Sequence, residues 1–332
     1  MAESSLQARI VGLEDSVDTR RSEYDVSNRI DITDPGSVEG EVRRLYADLY
    51  PRAQTSTLSR AFDDCTQMYR GAHPAYRACD TAYHDLQHTL DVSLAMARLM
   101  DGYERSASRA ESIGERLFVF GVVAALFHDI GYLRRRNDTR HQNGAEYTLR
   151  HVSRGGRFLQ HYLADIGMGD LAAIGAELIH FTGYEMPVSA IRVPSPIFRR
   201  IGNMLGTADI IAQMSDRCYL EKCRDRLYPE FVAGGLASRG GAEPAPGAQF
   251  SSAEDLLNKT PAFYLSAERR LGELLGGAFN YARAHFGGRN LYLDAVQKNV
   301  SHAQRVAQLG EVRGLLRRNP PARADQAVRL AA

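Results

Sequence analysis

Apolar residues recur at spacings of three and four along most of the 332-residue chain, which is the period of one face of an α-helix. The pattern is most regular over residues 55–70, 86–100 and 114–129. No segment shows the alternation of apolar and polar residues that is typical of a β-strand. The sequence therefore predicts an all-α fold.

Capping signals mark where several of these helices begin and end. Asp34 followed by Pro35 predicts the start of the first helix, and the sequence Ser-Ser-Ala-Glu at 251–254 predicts another start. Gly131 is expected to close the helix over 114–129 as the glycine that follows a helix end. Further helices are predicted at 144–152, 156–166, 170–181, 196–213 and 216–231.

Composition divides the chain into five parts. Residues 1–33 are expected to form a polar N-terminal tail, 34–232 a main helical domain, 233–250 a loop rich in Gly and Pro, 251–318 C-terminal helices packed on that domain, and 319–332 a loose tail. The loop is distinguished by the run "AGGLASRGGAEPAPGAQF", in which no helical period can be found.

The charge balance gives little information about binding partners, but the cysteine content suggests a cellular location. The 41 Lys and Arg residues nearly balance 40 Asp and Glu residues, so there is no strong signal for nucleic-acid binding. The longest apolar run, 117–127, is about half as long as a bilayer span, and no membrane partner is expected. Four cysteines without a CxxC pair fit a reducing, cytoplasmic location. The oligomeric state is left open, with a dimer as one possibility.

Histidines and acids are concentrated in the segment "YHDLQHTLDV" at 83–92. His84 and His88 are four residues apart, so on a helix they would share one face with Asp91. Such a pair alone also fits an ordinary surface or core feature. Asp85 or Asp91 could orient one of the imidazoles, and Asp85 equally fits a charge at a helix N-terminus.

Two further segments place charged groups beside apolar helices. In "AALFHDIGY" an apolar helix ends in His128 and Asp129, and in "LGTADIIAQMSDR" Asp209 interrupts an apolar face. Burying these groups is costly unless they are paired, and a divalent cation would pair with them. The alternative for the first segment is a capping aspartate beside a core histidine.

The segments "YHDLQHTLDV", "HDIGY" and "TADI", in this order, resemble the HD superfamily of metal-dependent phosphohydrolases. The first is most similar to the "YHNxxHxxDV" signature of class I cyclic-nucleotide phosphodiesterases. The resemblance covers about residues 80–235 and implies that 34–232 forms an HD-type, phosphodiesterase-like catalytic bundle around a metal site. It implies that the metal ligands are His88, His128, Asp129 and Asp209, and that His84 protonates the leaving group.

The resemblance also implies a second metal ion. His141 in "HQNGAE" and His180 in "AELIHF" lie where binuclear members place further ligands, with His151 and His161 as rivals. Asp129 would bridge the two divalent ions, which could be Mn, Fe, Zn, Co or Mg. Asp85 replaces the signature asparagine, and neither a Gly-Tyr-Pro motif nor a purine-binding glutamine block is found, so the substrate stays open.

The function expected from this resemblance is hydrolysis of a small, nucleotide-like phosphoester. Asp129 would help to activate a metal-bound hydroxide, and His84 would act as the general acid. The basic loop with Arg134, Arg135, Arg136 and Arg140 would suit substrate phosphate, or would be a solvated loop paired with Asp138 and Glu146. Two alternative functions are an HD-fold di-iron oxygenase and a non-catalytic regulatory domain.

Overall fold

The computed structural model describes residues 20–238, 248–310, 315–316 and 318–323. Within these ranges the chain forms helices joined by loops, and extended residues pair only in isolated bridges, such as Tyr24 with Asp31. The prediction of an all-α fold is confirmed for the described residues. None of their helices is both long enough and apolar enough to cross a membrane.

Twelve α-helices are described. They are α1 Pro35–Leu49, α2 Ser56–Tyr69, α3 Leu86–Ser106, α4 Gly114–Leu126, α5 His151–Asp165, α6 Ala172–Leu178, α7 Pro196–Ser215, α8 Tyr219–Lys222, α9 Tyr228–Ala233, α10 Ala253–Arg269, α11 Tyr281–His285 and α12 Leu291–Leu309. Short 3-10 turns cover Ile130–Tyr132 and Gly144–Tyr147.

Helix α3 lies at the centre of the bundle and packs against α1, α4, α7 and α11. All of its residues from Leu86 to Tyr103 except His88 are buried, which is expected for a helix surrounded by other helices. Helix α4 is likewise buried from Phe118 to its end. The first turn of α3, the end of α4 and the middle of α7 therefore meet in the interior.

Side-chain caps are present at the helix starts that the sequence predicted. Asp34 accepts hydrogen bonds from the backbone amides at the start of α1, and Ser252 does the same for α10. Asp85 caps α3 by accepting a 3.0 Å hydrogen bond from the backbone N–H of His88. Asp85 is therefore a helix cap, and the helix begins only after His84.

The predicted helix over 144–152 is wrong in detail, and so is the predicted role of Gly131. A 3-10 turn covers 144–147, and α5 begins at His151. Gly131 has no left-handed backbone conformation and lies within the turn Ile130–Tyr132. A side-chain carbon on it would come 1.9 Å from the carbonyl oxygen of His151, so the position needs glycine because α5 packs directly against it.

The segment 20–33, which the sequence assigned to a loose tail, lies against the bundle. Asp25 forms a buried ion pair with Arg98 of α3 at 2.6 Å, and Arg98 also donates to the hydroxyl of Tyr292 at 3.2 Å. Ile32 joins the hydrophobic core. Because the segment packs partly through a buried charge pair, its sequence is polar, and its packing could not be recognised from the sequence. Residues 1–19 lie outside the described residues.

The C-terminal segments are described only in part. Residues 239–247 of the predicted loop 233–250 and residues 324–332 of the predicted tail lie outside the described ranges. The ends of the loop are joined by a hydrogen bond of 2.9 Å from the amide of Ser238 to the carbonyl of Phe250. The side chain of Arg226 donates to the carbonyl of Pro321, which holds the start of the predicted tail against the bundle.

We expect Arg98→Met to lower the free energy of unfolding by about 3–5 kcal/mol, because it leaves Asp25 buried without its cation. Burial opposes the charge of Asp25, but Arg98 and local hydrogen bonds lower its pKa to about 2. The stabilisation by this carboxylate should therefore be present above its unfolded pKa of 3.8 and lost as the pH falls through about 2. Urea denaturation across this pH range measures both effects.

Arg44→Met is the matched control, because Arg44 forms its ion pairs on α1 with 55% of its side chain exposed. We expect it to change the free energy of unfolding by less than about 1 kcal/mol. Equal effects of the two substitutions would contradict the structural role given to the Arg98–Asp25 pair.

Candidate metal centre

Two histidines and two aspartates from three parts of the chain converge inside the bundle. The Nε2 atom of His88, on α3, lies 3.4 Å from Oδ2 of Asp129 and 3.3 Å from Oδ1 of Asp209 on α7. The Nε2 atom of His128 lies 3.2 Å from the same oxygen of Asp129 and 3.8 Å from Asp209. The four residues proposed as core ligands thus face one another; their binding of a metal stays a prediction.

The end of α4 fixes the orientation of His128. The helix ends at Leu126, so His128 and Asp129 lie in the turn that follows it. The Nδ1–H of His128 donates to the carbonyl of Ala125 at 2.8 Å, which directs Nε2 towards the two aspartates. His128 is 1% exposed, and within the described ranges its Nε2 has no hydrogen-bond partner. A buried nitrogen without a partner, beside two carboxylates, fits a metal ligand.

The donor atoms have the chemistry and the spacing that a divalent cation requires. One donor atom each from His88, His128 and Asp129 lies within 4.8 Å of the others, and no other group of three or more His, Cys, Asp or Glu residues in the described ranges meets this condition. Imidazole nitrogens and carboxylate oxygens together suit Mn, Fe, Co or Zn.

The electrostatics show strong coupling between the histidines and the acids. Burial favours the neutral form of His88, but the adjacent Asp129 and Asp209 outweigh it and raise the pKa of His88 to about 10. Burial would also raise the pKa of Asp129, yet His128 and the neighbouring histidines hold it well below its usual range. Without a cation, this cluster retains protons that a metal would displace.

His151 faces the second oxygen of Asp129. Its Nε2 lies 3.6 Å from Oδ1 of Asp129, whereas His88 and His128 face Oδ2. The Nδ1–H of His151 donates to the carbonyl of Thr148 at 2.6 Å, which leaves Nε2 free to bind a metal. Burial lowers the pKa of His151, which favours the neutral form that a metal requires.

The other candidate ligands for a second metal have different partners. His141 contacts Asp138 at 3.1 Å and the hydroxyl of Tyr147 at 2.9 Å through Nδ1, and its Nε2 lies 3.3 Å from Arg150. His180 is paired with Glu185 at 2.5 Å. His161 is exposed and donates to its own helix. Among the described contacts, none joins these three rings to Asp129 or Asp209.

Glu230, which the sequence analysis did not single out, holds His84. Its carboxylate accepts a hydrogen bond from the His84 ring and another, of 2.8 Å, from the backbone N–H of Tyr83. Burial opposes the charge on the His84 ring, but Glu230 and then Asp129 raise its pKa. Tyr132 stacks on this ring with centroids 4.6 Å apart, and the rings of His84 and His88 lie 5.7 Å apart.

The basic loop is partly bound to the protein itself. Arg134 pairs with Asp80 at 2.6 Å and donates to the carbonyl of His141, and Arg136 donates to the carbonyl of Gly71 at 2.7 Å. Arg135 and Arg140 are exposed. Two of the four guanidinium groups therefore hold neighbouring loops, and a phosphate-binding role for the set stays a prediction.

Comparison with known proteins identifies no family for the chain. No family model matches the sequence, and no curated protein matches it. A function for the cluster must therefore be inferred from its geometry and from the motifs that carry its residues.

Metal binding should release protons, because His88 holds its proton up to about pH 10 in the metal-free protein. We expect the affinity for Mn²⁺ to rise about tenfold per pH unit for each proton displaced. Calorimetric titrations in two buffers of different ionisation enthalpy count these protons. His128→Ala should abolish binding, and His161→Ala should leave it unchanged. An affinity independent of pH would contradict this prediction.

Proposed function

We propose that the chain is a metal-dependent phosphohydrolase of the HD type that hydrolyses a small, nucleotide-like phosphoester. The observation that carries the proposal is the buried Nε2 of His128, which faces two carboxylates and has no hydrogen-bond partner among the described residues. The protein bears the cost of burying these groups, and a bound cation would offset it. The order of the three motifs supports a phosphoester as the substrate.

Asp129 has the central position in the proposed mechanism. Its Oδ2 faces His88 and His128, and its Oδ1 faces His151, so its carboxylate is placed to join two metal positions. Divalent ions bound there would neutralise charge on the phosphoryl group and lower the pKa of a bound water molecule. His88, His128 and Asp209 would complete the first of the two positions.

His84 is placed to protonate the leaving group. The Nδ1 atom of His84 is hydrogen-bonded to the carboxylate of Glu230, and among the described residues no group is hydrogen-bonded to its Nε2. The buried carboxylate of Glu230 favours the charged ring, which keeps a proton available near neutral pH. The His84 side chain is 18% exposed, so a substrate can reach it from solvent.

For the second metal, the geometry favours His151 over His141. The ring of His151 faces Asp129 and is neutral, whereas both nitrogens of His141 already have protein partners. His180 keeps one nitrogen outside its pair with Glu185, and it stays a candidate. We propose two divalent ions, with His151 as the ligand that defines the second position.

The proposed location is the cytoplasm. All four cysteines are buried and form no disulfide, which supports a reducing compartment. Cys218 and Cys223 belong to neighbouring turns of the helical region after α7.

His84→Ala should lower kcat by about 10²–10⁴ for a substrate with an alkoxide leaving group, while its metal content stays that of the wild type. The loss should be much smaller for bis(p-nitrophenyl) phosphate, since nitrophenolate leaves without a proton. Loss of metal from the variant would show that His84 is a ligand and would contradict its role as the acid.

Glu230→Gln should move the alkaline limb of the pH–rate profile to lower pH. The reason is that the general acid must be protonated, and removal of the carboxylate lowers the pKa of His84. Glu185→Gln is the matched control, because Glu185 pairs with His180 instead. An unchanged alkaline limb in Glu230→Gln would contradict the role of His84 as the acid.

His151→Ala should reduce the metal content of the Mn²⁺-loaded protein from about two ions to about one, by loss of the second position. His141→Ala should retain two. Elemental analysis of both purified variants measures the difference, and the opposite result would restore His141 as the ligand. A coloured, iron-containing protein that consumes O₂ would contradict the hydrolytic function itself.

A further inference from the structure

A small polar cavity lies one helical turn from the candidate metal centre, between α3, the end of α7 and α8. Its volume is about 20 Å³, enough for about one water molecule. The polar side chains that line it are Gln87, His88, Asp91, Gln213, Asp216 and Lys222. Only His88 belongs both to this cavity and to the metal cluster.

Gln87 has an unsatisfied side-chain amide at this cavity. Its side chain is buried, with the residue 1% exposed, and in the part of the chain that the structure describes neither Oε1 nor Nε2 has a hydrogen-bond partner. An amide buried in this way loses its hydrogen bonds to water without replacing them, which is unfavourable. Buried polar groups in folded proteins almost always bond protein or ordered water, so Gln87 indicates a molecule in the cavity.

Asp91 also lines the cavity. It is 8% exposed, and no hydrogen bond or ion pair to it is found within the described part of the chain. The neighbouring Asp216 has its own partners, since it binds Lys222 at 2.5 Å and the backbone N–H of Cys218 at 2.6 Å. Lys222 therefore pairs directly with Asp216 and acts on Asp91 only through its charge.

The charges around Asp91 are consistent with this view. Burial and the charge of Asp216 raise the pKa of Asp91 to about 7, and Asp25 adds to the shift, while Lys222 and Arg20 oppose it. In contrast, Asp25 has a direct cationic partner in Arg98, and the pKa of Asp25 is lowered.

His88 differs from the other two imidazoles around Asp129. The Nδ1 of His128 donates to the carbonyl of Ala125, and that of His151 donates to the carbonyl of Thr148. For the Nδ1 of His88, the described residues offer no such acceptor, although the ring lines the cavity. Metal-binding histidines almost always donate their second N–H to a carboxylate, a carbonyl or water.

We propose that the cavity is a binding site for one ordered water molecule that accepts a hydrogen bond from His88 and donates to Asp91 and Gln87. The water makes Asp91 and Gln87 positioning residues for His88, and in this respect the inference rests on the proposed function. A water molecule accepts two hydrogen bonds and donates two, which matches N–H groups of His88 and Gln87 and oxygens of Asp91 and Gln87.

A monovalent cation fits the same volume but not the same partners. The N–H groups of His88 and Gln87 need an acceptor, and a cation accepts no hydrogen bonds. The ammonium group of Lys222 also lines the cavity and would repel a second positive charge. Water is therefore the occupant that satisfies all the groups.

The first test is a high-resolution crystal structure of the wild-type protein, grown without and with Mn²⁺. We expect one peak of water density within hydrogen-bond distance of Asp91, Gln87 and the Nδ1 of His88 in both crystals. An empty cavity, a side chain filling it, or an anomalous peak there after a Rb⁺ soak would overturn the inference. This test does not depend on catalysis or on metal binding.

The second test measures the Kd for Mn²⁺ in two variants of α3. Asp91→Leu should expel the water and weaken binding by about 10–100-fold, as loss of a second partner of a ligand histidine typically does. Asp91→Asn keeps an acceptor oxygen and should recover part of that loss. Asp101→Asn is the matched control, because Asp101 is also buried on α3 but pairs with Arg105 and His285.

The control should lower the melting temperature without changing the Kd for Mn²⁺. Equal Kd values for Asp91→Leu and the wild type would overturn the positioning role of Asp91. If Asp91→Leu does not fold, the electron density in the cavity of the wild-type crystal tests the water site instead. If the wild type binds no divalent cation, the proposed function fails, while the density still decides whether the cavity holds water.

Discussion

The candidate metal centre depends on the carboxylate of Asp129, which is buried among three imidazoles. Such a charge is tolerated in a protein interior only where opposite charges or donors surround it, and here they come from α3, α5 and the turn after α4. Asp209 brings a second carboxylate from α7 towards His88. Two acids in so small a space repel each other unless protons or cations lie between them.

The apolar packing around this cluster makes it possible. Helix α3 is buried over nearly its whole length, and α4 is buried from Phe118 to its end, so the start of α3 and the end of α4 are held firmly where the polar residues begin. The free energy gained by burying these helices offsets the cost of crowding the charges. A rigid frame also fixes the separation of the donor atoms, which catalysis by a bound ion requires.

Much of this could be predicted from the sequence, because the signals are local. Helical periods and the caps at Asp34 and Ser252 depend only on residues that are close in sequence. The motifs around His88, His128 and Asp209 identify the side chains that converge. The roles that depend on long-range folding could not be predicted. Glu230 reaches the His84 ring from 146 residues away, and nothing around it indicates a partner. The spacing of histidines after Asp129 likewise gave no reason to prefer His151, because its position depends on how α5 folds back.

That fold depends on Gly131, whose missing side chain lets the backbone of the turn contact the backbone of α5. The separation between Asp129 and His151 is consequently set by main-chain atoms. Exchanging one candidate ligand side chain for another would alter which ions the cluster could hold, but the backbone separation between Asp129 and His151 would persist. A scaffold of this kind can change its chemistry during evolution while it keeps the same internal dimensions.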